Sequence, residues 1–181
     1  MIDYTRSSPH HDNRPDNTLI KLLVIHNISL PPNSFSGPWI DDLFLGRLDS
    51  EAHPYFKPLE NVKVSAHLLI RRTGEVIQYV PYEKRAWHAG VSSWNGENNC
   101  NDFSIGIELE GADDLAYTSS QYDKLRDVVD DIIKKYPLIS VKRSETTMNS
   151  ICGHCDIAPE RKTDPGKMFD WDQLYCLLAN E

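Results

Sequence analysis

The stretch Gly153-His154-Cys155-Asp156-Ile157-Ala158-Pro159-Glu160-Arg161-Lys162-Thr163-Asp164-Pro165-Gly166 restricts the possible folds of this chain more than any other part of it. Glycine bounds both ends, and Pro159 and Pro165 interrupt the run. Proline lacks a backbone donor and fixes φ, so the pattern predicts an ordered loop and not a helix. A histidine, a lysine and two aspartates stand within it, and so dense a set of ligand-type and charged groups costs stability unless something satisfies them. A bound metal ion would satisfy them. A solvated charged turn is the other reading.

Charge narrows the choice of partner. Lys+Arg of 19 against Asp+Glu of 27 gives a net charge of −8, with no basic block to attract nucleic acid or an anionic membrane. The polar opening Met1–His11 has no apolar signal core, and nothing approaches the ~20 apolar residues that span a bilayer. The expected address is the cytoplasm, and 181 residues suit one domain. Cys100, Cys152, Cys155 and Cys176 are then expected as reduced thiols. Cys152 and Cys155 have the CxxC spacing of a dithiol oxidoreductase, but that chemistry needs a strand-to-helix context that activates the first thiol. Pro159 argues for a loop there, so both are expected as small apolar packing groups.

Residues 1–18, polar and broken by Pro9 and Pro15, predict an extended arm lying over a domain formed by 19–181. Ile20–Ile25 is a near-continuous apolar run that suits a doubly buried strand, with His26 at its C-terminal end, where ligands commonly bind in open α/β sheets. Residues 37–46 predict a short helix with Pro38 in its first turn and Gly46 past its end. Residues 47–62 predict an irregular loop whose His53-Pro54-Tyr55-Phe56 exposes aromatics at a cleft edge. Val64–Arg71 and Glu75–Val80 predict a hairpin turning at Arg72-Thr73-Gly74, with His67 as a structural histidine within the first strand. Trp87 and His88, in a glycine-flanked loop, suggest a stacking platform; a half-buried tryptophan closing the core edge is equally open. Residues 91–102 predict a polar loop. Phe103–Gly111 alternates strictly, with Ile105, Ile107 and Leu109 on one face and Ser104, Gly106, Glu108 and Glu110 on the other. A mid-strand Glu108 should overlook a cleft, because burying it unpaired is costly. Thr118-Ser119-Ser120-Gln121 is a capping box opening a helix that Pro137 ends. Residues 138–149 predict a polar connection, and Asp170–Leu178 a closing helix.

His26, from a strand end, and His154 and Asp164, from one loop, can therefore converge. Two imidazoles and one carboxylate leave a fourth tetrahedral position open, as in catalytic zinc sites, and zinc brings the pKa of a coordinated water to about 7. Glu108 could accept the proton of that water and Lys162 could stabilise an oxyanion. Lys162 and Asp164 are two residues apart, so an extended backbone would split their directions, and only the fold can bring them together.

Over about Ser8 to Leu178 the chain resembles the zinc-dependent N-acetylmuramoyl-L-alanine amidases of the amidase_2 and peptidoglycan-recognition superfamily. Within it the likeness is to the cytoplasmic type that acts on 1,6-anhydromuropeptides during cell-wall recycling. The most specific pieces are Val24-Ile25-His26-Asn27-Ile28-Ser29-Leu30-Pro31-Pro32, Val64-Ser65-Ala66-His67, Arg85-Ala86-Trp87-His88-Ala89-Gly90-Val91-Ser92, Cys100 through Gly111, and Gly153-His154 through Gly166. The resemblance implies a mixed α/β single domain, with a central mixed sheet flanked by helices. It implies Zn2+ held by His26, His154 and Asp164, Glu108 as general base and Lys162 as electrophilic helper. Asn27 and Trp87, with His88 beside it, would seat the substrate. Lys63 and Asn99 stand where family members often carry arginines that grip stem-peptide carboxylates. Lys63 keeps the charge without the bidentate fork and Asn99 loses the charge, so peptide-end affinity is expected to differ. The implied partner is a small anhydromuropeptide bound by a monomer, with no nucleic acid and no membrane. A non-catalytic muropeptide-binding module is the alternative, which a lost ligand would favour; all three ligand positions are filled.

Overall fold

The structure, a computed structural model, describes residues 2–141 and 149–179. Its strands and helices, in chain order, are β1 (Tyr4–Thr5), β2 (His11–Asn13), β3 (Leu22–Ile28), α1 (Trp39–Phe44), β4 (Leu68–Ile70), β5 (Val76–Gln78), β6 (Lys84–Ala86), β7 (Ser93–Trp94), β8 (Glu97–Asn98), β9 (Ser104–Glu110), α2 (Ser119–Lys135), β10 (Ile151–Gly153), α3 (His154–Ile157) and α4 (Trp171–Ala179). A six-stranded mixed sheet runs in the order β1-β5-β4-β9-β3-β10. The run β4-β9-β3-β10 is parallel throughout, and β4 and β5 form the antiparallel hairpin. This is the mixed α/β architecture expected.

The core follows from the patterning. Leu22, Leu23, Val24 and Ile25 of β3 are all fully buried, as an apolar run covered on both faces must be. Ile105, Ile107 and Leu109 of β9 join Leu23 and Ile25 of β3 against Leu125, Val129 and Ile132 of α2 and Leu174 of α4. Thr118 Oγ1 accepts from the Gln121 N–H at 3.1 Å, and Gln121 Oε1 accepts from the Thr118 N–H at 3.1 Å, closing the capping box of α2. A cap of this kind contributes about 1 kcal/mol. On the opposite face Leu69, Ile77 and Tyr79 pack with Ile40, Leu43 and Phe44 of the α1 region and with Phe56.

Several expectations need correction. Strand β3 runs on to Ile28, because its parallel pairing with β9 continues through His26↔Glu108 to Ile28↔Glu110. His26 is therefore within the strand, two residues short of its end. The segment 47–62 contains a 3₁₀ helix, Pro54–Leu59, started by the His53 ring, which accepts from the Tyr55 N–H at 3.1 Å. Tyr55 is exposed there, but Phe56 is fully buried against Trp39. The first hairpin strand is only Leu68–Ile70, and His67 precedes it. The polar loop 91–102 forms the β7–β8 ribbon and a 3₁₀ turn at Cys100–Asp102.

Ile151–Gly153 is an edge strand, and His154–Ile157 is one turn of helix where a loop was expected. The Asp156 carboxylate accepts from the Gly153 N–H at 2.7 Å and starts that turn, and Pro159 halts it. Most of the polar connection 138–149 lies outside the described residues. In the arm, β1 pairs with β5, β2 pairs with β6, and the Arg14 guanidinium donates to the carbonyls of Tyr82, Asn101, Asp102 and Ser104.

Candidate active site

Parallel pairing brings the site together. His26 lies directly beside Glu108 on the neighbouring strand, and Gly153 is paired with Ile25, so His154 enters next to His26. All three arrive near the carboxyl ends of parallel strands. Asp164 comes from the loop after α3, whose course is held by the Cys155 N–H donating to the Asp164 carbonyl at 3.0 Å and the Tyr117 hydroxyl donating to the Pro165 carbonyl at 2.7 Å. Gly166, at φ +83°, lets that loop run against Asp113, whose Cα would lie 2.2 Å from any added Cβ.

His26 Nδ1 lies 2.9 Å from His154 Nδ1 and 3.1 Å from Asp164 Oδ2, and His154 Nδ1 lies 3.0 Å from the same oxygen. One donor atom from each of the three falls within 4.8 Å of the others. The outer nitrogens are engaged elsewhere. His154 Nε2 is 3.0 Å from the Ala89 carbonyl, which can only accept, so Nε2 carries a hydrogen and Nδ1 is the nitrogen turned toward His26 and Asp164. His26 Nε2 meets His88 Nδ1 at 2.9 Å.

Burial is the main cause of His26 being lowered to about 4, with the neighbouring His154 adding to it and Asp164 opposing. Burial works to raise Asp164, but the adjoining His154 and His26 rings overcome it and hold the carboxyl well below the usual range. The centre is thus a neutral His26 imidazole and a carboxylate with the His154 ring beside them, the three facing atoms lying 2.9–3.1 Å apart. Three metal-ligand atoms converge on one point, and a cation answers that arrangement. The donor set, two nitrogens and one oxygen with one side open to the cleft, fits a catalytic zinc.

Glu108 lines the cleft, a space of about 560 Å³ shared with Asn27, Tyr55, Trp87, His88 and Lys162. Its Oε2 is buried with no hydrogen-bond partner, and among the described residues Arg72 Nη1 is the other such atom. Burial raises the Glu108 carboxyl well above its ordinary value; Asp164 raises it further, and Lys162 opposes. Lys162 is brought round by its N–H donating to the Ala158 carbonyl at 2.9 Å. The turn at Ala158 thereby resolves the problem of spacing: Lys162 and Asp164 both reach the cleft although only Thr163 separates them.

The remaining candidates divide. Asn27 lines the cleft with its amide donating to Asp113 Oδ1 at 2.7 Å. Trp87 lines it too, stacked on His10 and tied through Nε1 to Asp12 of the arm. His88 is buried and spent on His26 and Ser104. Lys63 and Asn99 are exposed and lie outside the cleft lining. Residue reasoning missed Ser104, Gly106, Asn101 and Asp113, whose contacts come from distant parts of the chain. The Asn101 side chain accepts from the N–H groups of His88 and Ala89, fixing the loop that holds His154. Cys152 is buried in β10, burial raises its thiol well above the usual value, and burial also raises Cys155. Neither is an activated nucleophile.

Fold and site together define a hydrolase of the amidase class, and the chain belongs to the N-acetylmuramoyl-L-alanine amidase family, whose model matches residues 15–167. It is 58% identical over 172 residues to the 1,6-anhydro-N-acetylmuramyl-L-alanine amidase AmpD of Citrobacter freundii, covering 95% of this chain and 88% of that one. Against the protein of the same name from Escherichia coli K12 it is 56% identical over 174 residues, covering 96% and 91%. A crystal structure of a selenomethionine AmpD derivative superposes with a TM-score of 0.91 at 55% identity, covering 98% of this chain and 99% of that one. The amidase AmiD from E. coli, solved with the substrate anhydro-N-acetylmuramic acid-L-Ala-D-γ-Glu-L-Lys, superposes with a TM-score of 0.60 at 30% identity, covering 91% of this chain and 60% of that one. No helix among the described residues is long and apolar enough to cross a membrane.

Proposed function

We propose that this chain is a zinc-dependent amidase that hydrolyses the bond between the lactyl group of 1,6-anhydro-N-acetylmuramic acid and the L-alanine of a stem peptide, in cytoplasmic recycling of cell-wall fragments. The substrate assignment rests on the names of the AmpD relatives and on the substrate bound to AmiD. The observation that carries the chemistry is the unpartnered Glu108 Oε2 in the cleft beside the cluster of His26, His154 and Asp164.

His26, His154 and Asp164 would hold the zinc, which when bound supplies a Lewis acid that acidifies water and polarises a carbonyl. Glu108 takes the proton of the attacking water, a transfer favoured by a base whose affinity for protons is already raised. It then delivers that proton to the alanine nitrogen as the amide bond breaks. The Lys162 ammonium faces the negative charge that develops on the lactyl oxygen. Asn27, oriented by Asp113, offers its amide to the substrate backbone, and Trp87 provides an apolar wall for sugar or peptide. Lys63 and Asn99, outside the cleft lining, would touch only the distal end of a stem peptide. A purely binding module gains nothing from a buried, unpaired carboxylate, and that disfavours the alternative reading.

Incubating the protein with a 1,6-anhydromuramyl tripeptide and analysing the products by mass spectrometry tests the substrate assignment. The expected products are anhydro-N-acetylmuramic acid and a free peptide beginning with L-alanine. An intact substrate, or cleavage within the peptide, would overturn the proposal.

A further inference from the structure

We infer that His88 and Ser104 are positioning residues that set the tautomer of His26 and so keep its Nδ1 bare for a metal. The inference rests on the zinc reading above, and the geometry runs as a chain with one direction. Ser104 Oγ lies 2.5 Å from the Cys100 carbonyl, an acceptor only, so its hydrogen is committed there. The hydroxyl can then only accept from His88 Nε2, 3.2 Å away, which places the His88 hydrogen on Nε2. His88 Nδ1 is left as an acceptor and receives the Nε2–H of His26 at 2.9 Å. His26 Nδ1 is therefore the nitrogen without a hydrogen, and it is the one that faces His154 and Asp164.

His154 needs no such relay, because the Ala89 carbonyl fixes its tautomer in one step. A ring nitrogen is an acceptor only in one of its two neutral forms, so for His26 the same result depends on Ser104 at one remove.

The surroundings hold His88 in this one place. The ring lies over Gly106 of β9, where an added Cβ would come within 2.4 Å of His88 Cγ. It meets His26 edge to face, with centroids 5.0 Å apart at 84°, and His67 at 5.7 Å and 68°. The Asn101 side chain accepts from the His88 N–H at 3.1 Å and fixes the backbone behind the ring. Such outer partners of metal-binding histidines orient the ring and raise affinity. Ser104, His88 and Gly106 thus form one device, assembled from positions that look unrelated along the chain.

The test uses two readouts that do not depend on turnover. A long-range 1H–15N correlation spectrum of the 15N-labelled protein reads imidazole tautomers directly. His88 is expected in the Nε2–H form, and the Nδ1–H form would overturn the inference without any variant having to fold. Zinc affinity, measured by competition with a chelator, is the second readout. His88→Ala should weaken binding by about 10–100-fold and Ser104→Ala by about tenfold, on the scale known for such outer partners. His88→Asn, whose amide oxygen can stand near the imidazole Nδ1, should recover most of the loss. A Ser104→Ala protein that melts lower but keeps wild-type zinc affinity and the wild-type His88 tautomer would reduce Ser104 to a packing role and sink the proposal. If the wild type binds no zinc, the zinc reading fails by itself, and the spectrum still decides the hydrogen-bond chain.

Discussion

Glu108 and Glu110 stand two residues apart on the same face of β9, and their surroundings obey opposite rules. Glu110 is saturated: Arg71 Nη1 donates to it at 3.0 Å, the Ser36 N–H at 2.7 Å and the Arg72 N–H at 3.1 Å. Arg71 also donates to Asp41 at 2.7 Å, and the Tyr79 hydroxyl donates to Asp41, so the carboxylates in this region serve to tie the α1 segment to the sheet. Glu108 has an orphaned oxygen and faces a cleft. A carboxylate kept for structure resembles Glu110, because an unsatisfied buried acceptor costs about 1–3 kcal/mol or more. The region around Glu108 bears that cost, which stability alone does not explain and which the proposed role as general base would.

The contrast can be broken by substitution. Glu108→Ala should lower kcat by roughly 10²–10⁴ while zinc content holds and the melting temperature stays level or rises. An active, destabilised variant would make Glu108 a structural group like its neighbour. Glu110→Ala should do the reverse, costing about 1–3 kcal/mol by leaving Arg71 with Asp41 alone and the Ser36 and Arg72 N–H groups without their acceptor, with turnover near wild type wherever the protein is folded. Chemical denaturation beside an activity assay separates the two. Lys162→Ala should keep zinc and fold and lose on the order of 10²–10³ in kcat, the scale of one lost oxyanion donor. A loss confined to KM would instead make Lys162 a ground-state binding group.

A pH-dependent effect is expected at His67. Burial lowers it to about 3, with the Arg14 charge assisting and the Lys84 carbonyl and Glu83 opposing. A depressed value stabilises the neutral form, so its contribution is complete above the unfolded value of about 6.5 and drains away as pH falls toward about 3. The steepest slope from this one group is about 1.4 kcal/mol per pH unit. Melting curves between those pH values should show it in the wild type and lose it in His67→Gln, and identical slopes would refute the assignment.

What the sequence disclosed follows the range of the contacts. The capping box of α2 and the alternation of β9 are local patterns and were legible. His154 and Asp164 were legible because one short segment carries both. His26↔Glu108 adjacency was not, since parallel register is set by pairing between strands distant in the chain. The helical turn at His154 was hidden because a proline ahead argues for a loop, while the Asp156 cap that starts the turn looks like one more charged residue. Ser104 and Gly106 read as ordinary strand residues until His88, from another loop, is placed over them. Lys63 and Asn99 rest on family likeness alone, and the fold leaves both outside the cleft lining.

The most direct test of the account is to strip the protein with a chelator, return zinc stepwise, and measure bound metal and amide hydrolysis on the same samples. Hydrolysis is predicted to be absent from the stripped protein and to rise in proportion to bound zinc, reaching its limit at about one zinc per chain, with no recovery in His154→Ala. Full hydrolysis by metal-free protein would contradict it.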